Sequence, residues 1–245
     1  MPSNNEMDDA LQKVQKNNKT DWGALATRGV LGAVPWVGGL LGELINELIP
    51  NLRQDRIVCL LNLFSEKIKK LDEDLIRLKL HDPYNIDLFE DACFQTIRAL
   101  SNERINYIAN ALTHSLTNEQ LEYSQKKKLI SLLGKINDSE VIILFYYQAF
   151  LEGAQKEYLE KHKNILFIPP ATHSSPPEEI EREIIHNSYK DHLVQIGLLR
   201  DYFPFVKRNQ IPEFDNHTGK FKGGRKDITP LGRALCDFIQ DEIKE

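Results

Sequence analysis

The side chains that could do chemistry are scattered along this chain. Its histidines, His81, His114, His162, His173, His186, His192 and His217, include no HExxH motif and no pair at i, i+4. His186 and His192 fall on different faces of one helix, so their spacing does not build a zinc site. Cys59, Cys93 and Cys236 are far apart, odd in number and outside any CxxC pair. Buried, reduced thiols are expected, and a disulfide framework is not. A GxSxG nucleophile turn and a GxxxxGK[ST] phosphate loop are both missing, and Gly38-Gly39-x-x-Gly42 has apolar flanks and no following lysine. Acidic residues sit on helix faces, where they solvate the surface. The expectation is a non-enzymatic protein with no catalytic residues, metal site or cofactor. An enzyme of unrecognised type is the alternative, and it would need a polar concave pocket with perturbed residues.

Two stretches are more specific. Gly29–Ile49 reads GVLGAVPWVGGLLGELINELI and holds five of the chain's 13 glycines: Gly29, Gly32, Gly38, Gly39 and Gly42. Gly38-x-x-x-Gly42 is a small-xxx-small spacing that lets two backbones approach closely. Pro35 implies two short helices with a bend between them. Leu40, Leu41, Leu44, Ile45, Leu48 and Ile49 make an apolar face opposite Glu43, Asn46 and Glu47. A glycine-packed helical hairpin inside a bundle is the simplest expectation. The other is a membrane- or partner-seeking hairpin released on a trigger, with Trp22 and Trp36 suited to a bilayer interface. The uncharged apolar run Gly29–Gly42 is 14 residues, short of the roughly 20 that a spanning helix needs. Arg28 is the one basic residue here, so attraction to anionic lipid is weak.

The second stretch is basic. Lys207, Arg208, Lys220, Lys222, Arg225 and Lys226 cluster against only Glu213 and Asp215, with Phe214 and Phe221 interleaved. Such a patch can contact phosphates of nucleic acid. The helix before it carries Lys190, His192 and Gln195, but also Glu181, Glu183 and Asp191. That mixture suits protein contacts as well as a DNA groove.

The elements that must position these stretches follow from apolar periodicity. Ile57, Leu61, Phe64, Ile68, Leu71, Leu75 and Leu78 recur at alternating steps of 4 and 3, which predicts one long helix ended by His81-Asp82-Pro83. Asn85 is expected to cap a helix over Ile86–Leu100 with Phe89, Cys93, Thr96, Ile97 and Leu100 inward. Ser101 is expected to cap the next, with Ile105, Ile108, Ala109, Leu112 and Leu116 as its stripe. Thr117-x-x-Gln120 fits a capping box for a helix carrying Leu121, Leu129, Leu132, Leu133 and Ile136. A helix from Asp138-Ser139 is apolar on nearly all sides over Val141–Tyr147, so it is buried on several faces. The prolines of ILFIPPATHSSPP (165–177) interrupt the pattern. Helix returns over Glu178–Ile196, with Ile180, Ile184, Ile185, Tyr189, Leu193 and Ile196 apolar and Gly197 placed to end it. Leu198–Val206 and Ile211–Ile228 predict a small β-hairpin. Thr229-Pro230 then starts a last helix with Leu231, Ala234, Leu235, Phe238 and Ile239 on one face.

This closing order of helix, hairpin and helix resembles a winged-helix module, in which the basic hairpin would be the wing. The whole order of features resembles a known family as well. AVPWVGGLLGELI is followed by Arg53–Arg56, a heptad helix and further helices, then by the closing patterns at Leu193–Leu199 and Ile228–Cys236. In this it is similar to the Abi-alpha family of bacterial proteins, associated with abortive phage infection. The resemblance covers about residues 20–240 through short motifs. It implies a bacterial antiviral defence protein of the cytoplasm, and brings no catalytic residues with it.

Composition agrees with a globular protein: 245 residues, 41% hydrophobic and 27% charged. The net charge of −5 opposes nucleic-acid binding by the whole surface, but not by a local patch. The polar N-terminus has no signal-peptide pattern. The expected organisation is a flexible tail at 1–19, a helical bundle at 20–137 containing the 29–49 segment, and a winged-helix-like module at 138–245. The expected function is a defence interaction or effector protein, acting on a protein partner through conditional release of the apolar hairpin. A homo-oligomer is compatible with it, and membrane contact would follow only from release. A winged-helix DNA-binding regulator acting through residues 207–226 is the other alternative.

Overall fold

A computed structural model describes residues 54–69, 71–172, 175–203, 213–214 and 224–241. The Gly29–Ile49 segment lies outside them, as do Lys207, Arg208, Lys220 and Lys222. The protein is mainly helical, with one small two-stranded antiparallel sheet among the described residues. They fall into two compact units, 54–131 with 239–241 and 132–238.

The first unit begins with α1 (Gln54–Ile68), followed by α2 (Glu73–Leu80), α3 (Pro83–Arg98), α4 (Asn102–Thr117) and most of α5 (Tyr123–Leu133). α1 packs on α4 and α3, and α3 also packs on α4. Ile57, Leu60, Leu61, Phe64, Phe89 and Ile108 are almost fully buried between them. The Phe64 and Phe89 ring centroids are 6.3 Å apart, within the range of a favourable aromatic pair.

The long heptad helix is broken. Asp72 accepts a hydrogen bond from the Leu75 amide at 2.9 Å and starts α2 as a new helix. The break changes the phase of the apolar stripe. Leu75 and Leu78 are exposed, and Ile76 and Leu80 are buried instead. The next helix also starts earlier than expected. Asp82 caps it and Pro83 occupies its first turn, where a missing N–H costs nothing. Asn85 instead donates to the Lys79 carbonyl at 2.9 Å. Leu100 falls past the helix end and is exposed. Ser101 caps α4 as expected, accepting from the Arg104 amide at 3.1 Å. Thr117 forms no capping box, because it is the last residue of α4 and its hydroxyl bonds back to the Thr113 carbonyl.

The second unit holds the end of α5, α6 (Asp138–Glu152), α7 (Gln155–Lys161), α8 (Lys163–Leu166), α9 (Pro177–Gln195), β1 (Leu199–Tyr202), β2 (Arg225–Ile228) and α10 (Pro230–Ile239) up to Phe238. α6 is its centre: α7, α8, α9 and β2 all pack on it. Val141, Ile143 and Leu144 are buried, in line with the all-round apolar sequence. Asn137 and Glu140 form a reciprocal capping box at its start, and Gly153, at φ 76°, ends it. Of the apolar residues on α9, Leu193 is fully buried, but Ile184 and Ile185 are exposed. Ala234 on α10 is exposed too. No described helix is long and apolar enough to cross a membrane.

Candidate functional site at the helix–hairpin junction

The site is built where α9 hands the chain to the hairpin. α9 starts on Pro177, with Glu178 and Glu179 in its first turn facing the positive end of the helix dipole. It ends in a paired turn: the Gly197 amide reaches the Val194 carbonyl and the Leu198 amide reaches the Leu193 carbonyl. That closure needs a left-handed residue, supplied by Gly197 at φ 80°. The chain then enters β1.

β1 and β2 pair with Leu199 opposite Ile228, Arg200 opposite Asp227, Asp201 opposite Lys226, and Tyr202 opposite Arg225. Two opposite-charge pairs therefore sit directly across the ribbon. Lys226 donates to Asp201 and to Asp191 of α9, both at 3.0 Å, and its side chain is only 16% exposed. Burial alone would lower its pKa; the two carboxylate bonds outweigh that and raise it. Arg225 pairs with Asp227 at 3.2 Å, and its guanidinium lies 4.8 Å from the Tyr202 ring centre. Thus, of the six basic residues that sequence singled out, the two described ones are already engaged by acidic or aromatic neighbours. They tie the ribbon to itself and to α9.

Thr229 locks the other side. Its hydroxyl donates to the Gly197 carbonyl at 2.7 Å and accepts the Gly232 amide at 3.0 Å. A Cβ on Gly232 would stand 2.3 Å from the Leu198 carbonyl oxygen, so only glycine fits there.

Two histidines of α9 were not resolved as functional groups by sequence. His192 Nδ1 meets Glu140 Oε1 at 2.6 Å. The second Glu140 oxygen accepts the Asn137 amide at 2.7 Å. Glu140 is buried, so this carboxylate joins the start of α6 to α9 and satisfies both its oxygens. The Asn137-x-x-Glu140 spacing could have signalled the cap; nothing local could have signalled the histidine.

His186 differs. It is 7% exposed and has no hydrogen-bond partner among the described residues. It lines a cavity of about 340 Å³ between α9, α8 and the start of α6. Burial, then the charges of Lys190 and Arg182, push its imidazole pKa down to about 4, so it is neutral near pH 7. Lys190 is lowered as well, by burial and by Lys226.

Among the described residues, no group of three or more His, Cys, Asp or Glu side chains could hold a metal ion. Cys93 and Cys236 are buried and Cys59 half-buried, and none of the three forms a disulfide. Burial, then Glu90, pushes the Cys93 thiol up to about 12, far from a reactive thiolate. Comparison with known proteins finds no matching family model, no similar curated protein and no similar solved structure.

Proposed function

We propose that this chain is a non-enzymatic interaction protein of bacterial phage defence, with a winged-helix-like second unit that engages a protein partner rather than DNA. The carrying observation is the state of the α9 surface. Ile184 and Ile185 are exposed there at 62% and 51%, among the carboxylates Glu178, Glu179 and Glu181. Apolar side chains ringed by charge are the usual composition of a protein contact. The neighbouring Lys226 has its charge matched by Asp191 and Asp201, leaving little for a phosphate. Partner engagement by this unit would release the Gly29–Ile49 segment, which supplies the effector step. The defence setting rests on the resemblance to the Abi-alpha family, and the cytoplasm is the compartment that fits it.

The test is phage challenge of bacteria producing the full chain, set beside duplex DNA binding by the purified protein. Protection is expected to fall at least about tenfold for Ile184→Glu, since a buried charge in a contact is costly. Duplex affinity is expected to be weak. Protection that Ile184→Glu leaves intact would sink this reading. DNA binding that drops a hundredfold or more between about 50 and 200 mM salt, and weakens in Lys222→Ala/Arg225→Ala, would replace it with the regulator.

A further inference from the structure

From the cavity beneath α9 we infer a binding site for a small amphipathic carboxylate, with the head at His186 and the apolar body along the helix. It shares Ile185 with the proposed protein contact but rests on the cavity and His186, so it could stand if that reading fell.

The cavity follows one face of α9, from Glu178 through Arg182 and His186 to Tyr189. At 1.5 Å per residue, that face is about 16 Å long. Its volume, about 340 Å³, lies in the small-molecule range. Ile165, Ile168, Ile185 and Tyr189 give it an apolar wall. The polar end is distinctive. His186 is more than nine-tenths buried, yet neither of its ring nitrogens is both sealed and unpartnered, so each keeps some exposure. The cavity that His186 lines supplies it. No described residue pairs with these nitrogens, so they are left to whatever occupies the cavity.

What surrounds His186 selects the ligand. Ser139 lines the same cavity from the first turn of α6, beside Asp138; the capping box of Asn137 and Glu140 already meets that helix end, so Ser139 offers its hydroxyl and the positive charge comes from α9. Arg182 sits one turn before His186 on α9; one of its nitrogens bonds the Asn164 carbonyl at 3.0 Å, and the rest of the guanidinium is open. Lys190 adds positive charge from one turn beyond. Opposing them are Glu178 and Glu181, both exposed, where solvent screens them. Glu140, next to Ser139, is already saturated by Asn137 and His192. A dianion such as phosphate would waste the apolar wall. A neutral amphiphile would leave the imidazole facing two cations. A monocarboxylate answers both, and its charge would favour protonation of His186.

The probe is octanoate, titrated into the full chain by calorimetry with octanol and inorganic phosphate in parallel. Octanoate is expected to bind at least about tenfold tighter than either. His186→Phe and Arg182→Gln, each checked for native circular dichroism, are expected to lower that affinity about tenfold. The His186 imidazole resonance should titrate at higher pH with octanoate than without. Equal binding of octanol, equal binding of phosphate, no octanoate binding, or an unmoved His186 titration would each overturn the assignment. If His186→Phe does not fold, the Arg182→Gln affinity and the His186 titration in the unaltered chain decide the matter alone.

Discussion

The C-terminal end and the middle of α9 are built on opposite terms. Its C-terminal end is locked: His192 on Glu140, Asp191 on Lys226, Leu193 fully buried, and Gly197 and Leu198 held by Thr229. Its middle is open, with Ile184 and Ile185 exposed and His186 without a partner among the described residues, beside a cavity. Where every polar group is satisfied, the chain is spending residues on the fold. Where a ring opens on a space without a partner among the described residues and apolar side chains face solvent, the residues are available for something else. The locked end holds the open one in place, so breaking the lock should cost stability, and altering the open stretch should mostly change binding.

The largest effect is expected at Gly232→Ala. The new methyl would press on the Leu198 carbonyl, at 2.3 Å. That carbonyl already accepts the Thr229 amide at 3.0 Å and cannot swing away freely. A loss of about 3 kcal/mol is expected, the upper end of overpacking costs. Gly153→Ala is the matched control. It has nothing within 4 Å of the added carbon and only the strain of φ 76°, worth roughly 1 kcal/mol. Urea midpoints of the two variants should differ clearly; equal losses would show that the junction is not tightly packed.

Glu140→Ala should come next. It removes the capping partner of Asn137 and leaves His192 without its carboxylate. Bonds of this charged kind are worth about 1.5–3 kcal/mol, and part of a cap is lost besides. A change below about 0.5 kcal/mol in chemical denaturation, the usual size for a surface site, would mean the pair is ornamental.

Several helix ends are legible in sequence and almost none of the open stretch is. Ser101, Gly197 and Thr229-Pro230 announce helix ends through the chemistry of one or two residues, and each does what its type dictates. Local signals failed where two were superimposed. The heptad spacing runs through Asp72 without interruption, yet a carboxylate there can cap a helix as readily as it can solvate one, and the cap prevailed. Thr117 and Gln120 had the spacing of a capping box, but the preceding helix simply continued through Thr117. Ile184 and Ile185 are apolar positions of a helix and lie outside, because burial on α9 is decided by α6, distant in sequence. His186 gave no signal for the same reason. The basic stretch is legible from charge alone; the carboxylates that meet Lys226 come from a helix and from the other strand.

The pH dependence sharpens the comparison most, because it turns on the buried histidine of the open stretch. An imidazole near its ordinary 6.5 in the unfolded chain and about 4 in the folded one binds a proton first when unfolded. Between those values protonation favours unfolding, so His186 stabilises fully above about 6.5 and progressively less as the pH falls towards about 4. Asp87 and Asp241 act in a lower window. Burial would raise both, but the bonds to Lys127 and Lys67 prevail and hold them below the usual 3.8, so their contribution is lost only in stronger acid. Denaturation of the full chain at a series of pH values should therefore slope downward from about 6.5 to 4, and His186→Phe should flatten that part of the slope while leaving the more acidic part in place. Saturating octanoate should flatten it too, by giving the protonated ring a partner. If the slope survives His186→Phe unchanged, the open stretch of α9 is as satisfied as the locked one, and the distinction between end and middle fails at its central residue.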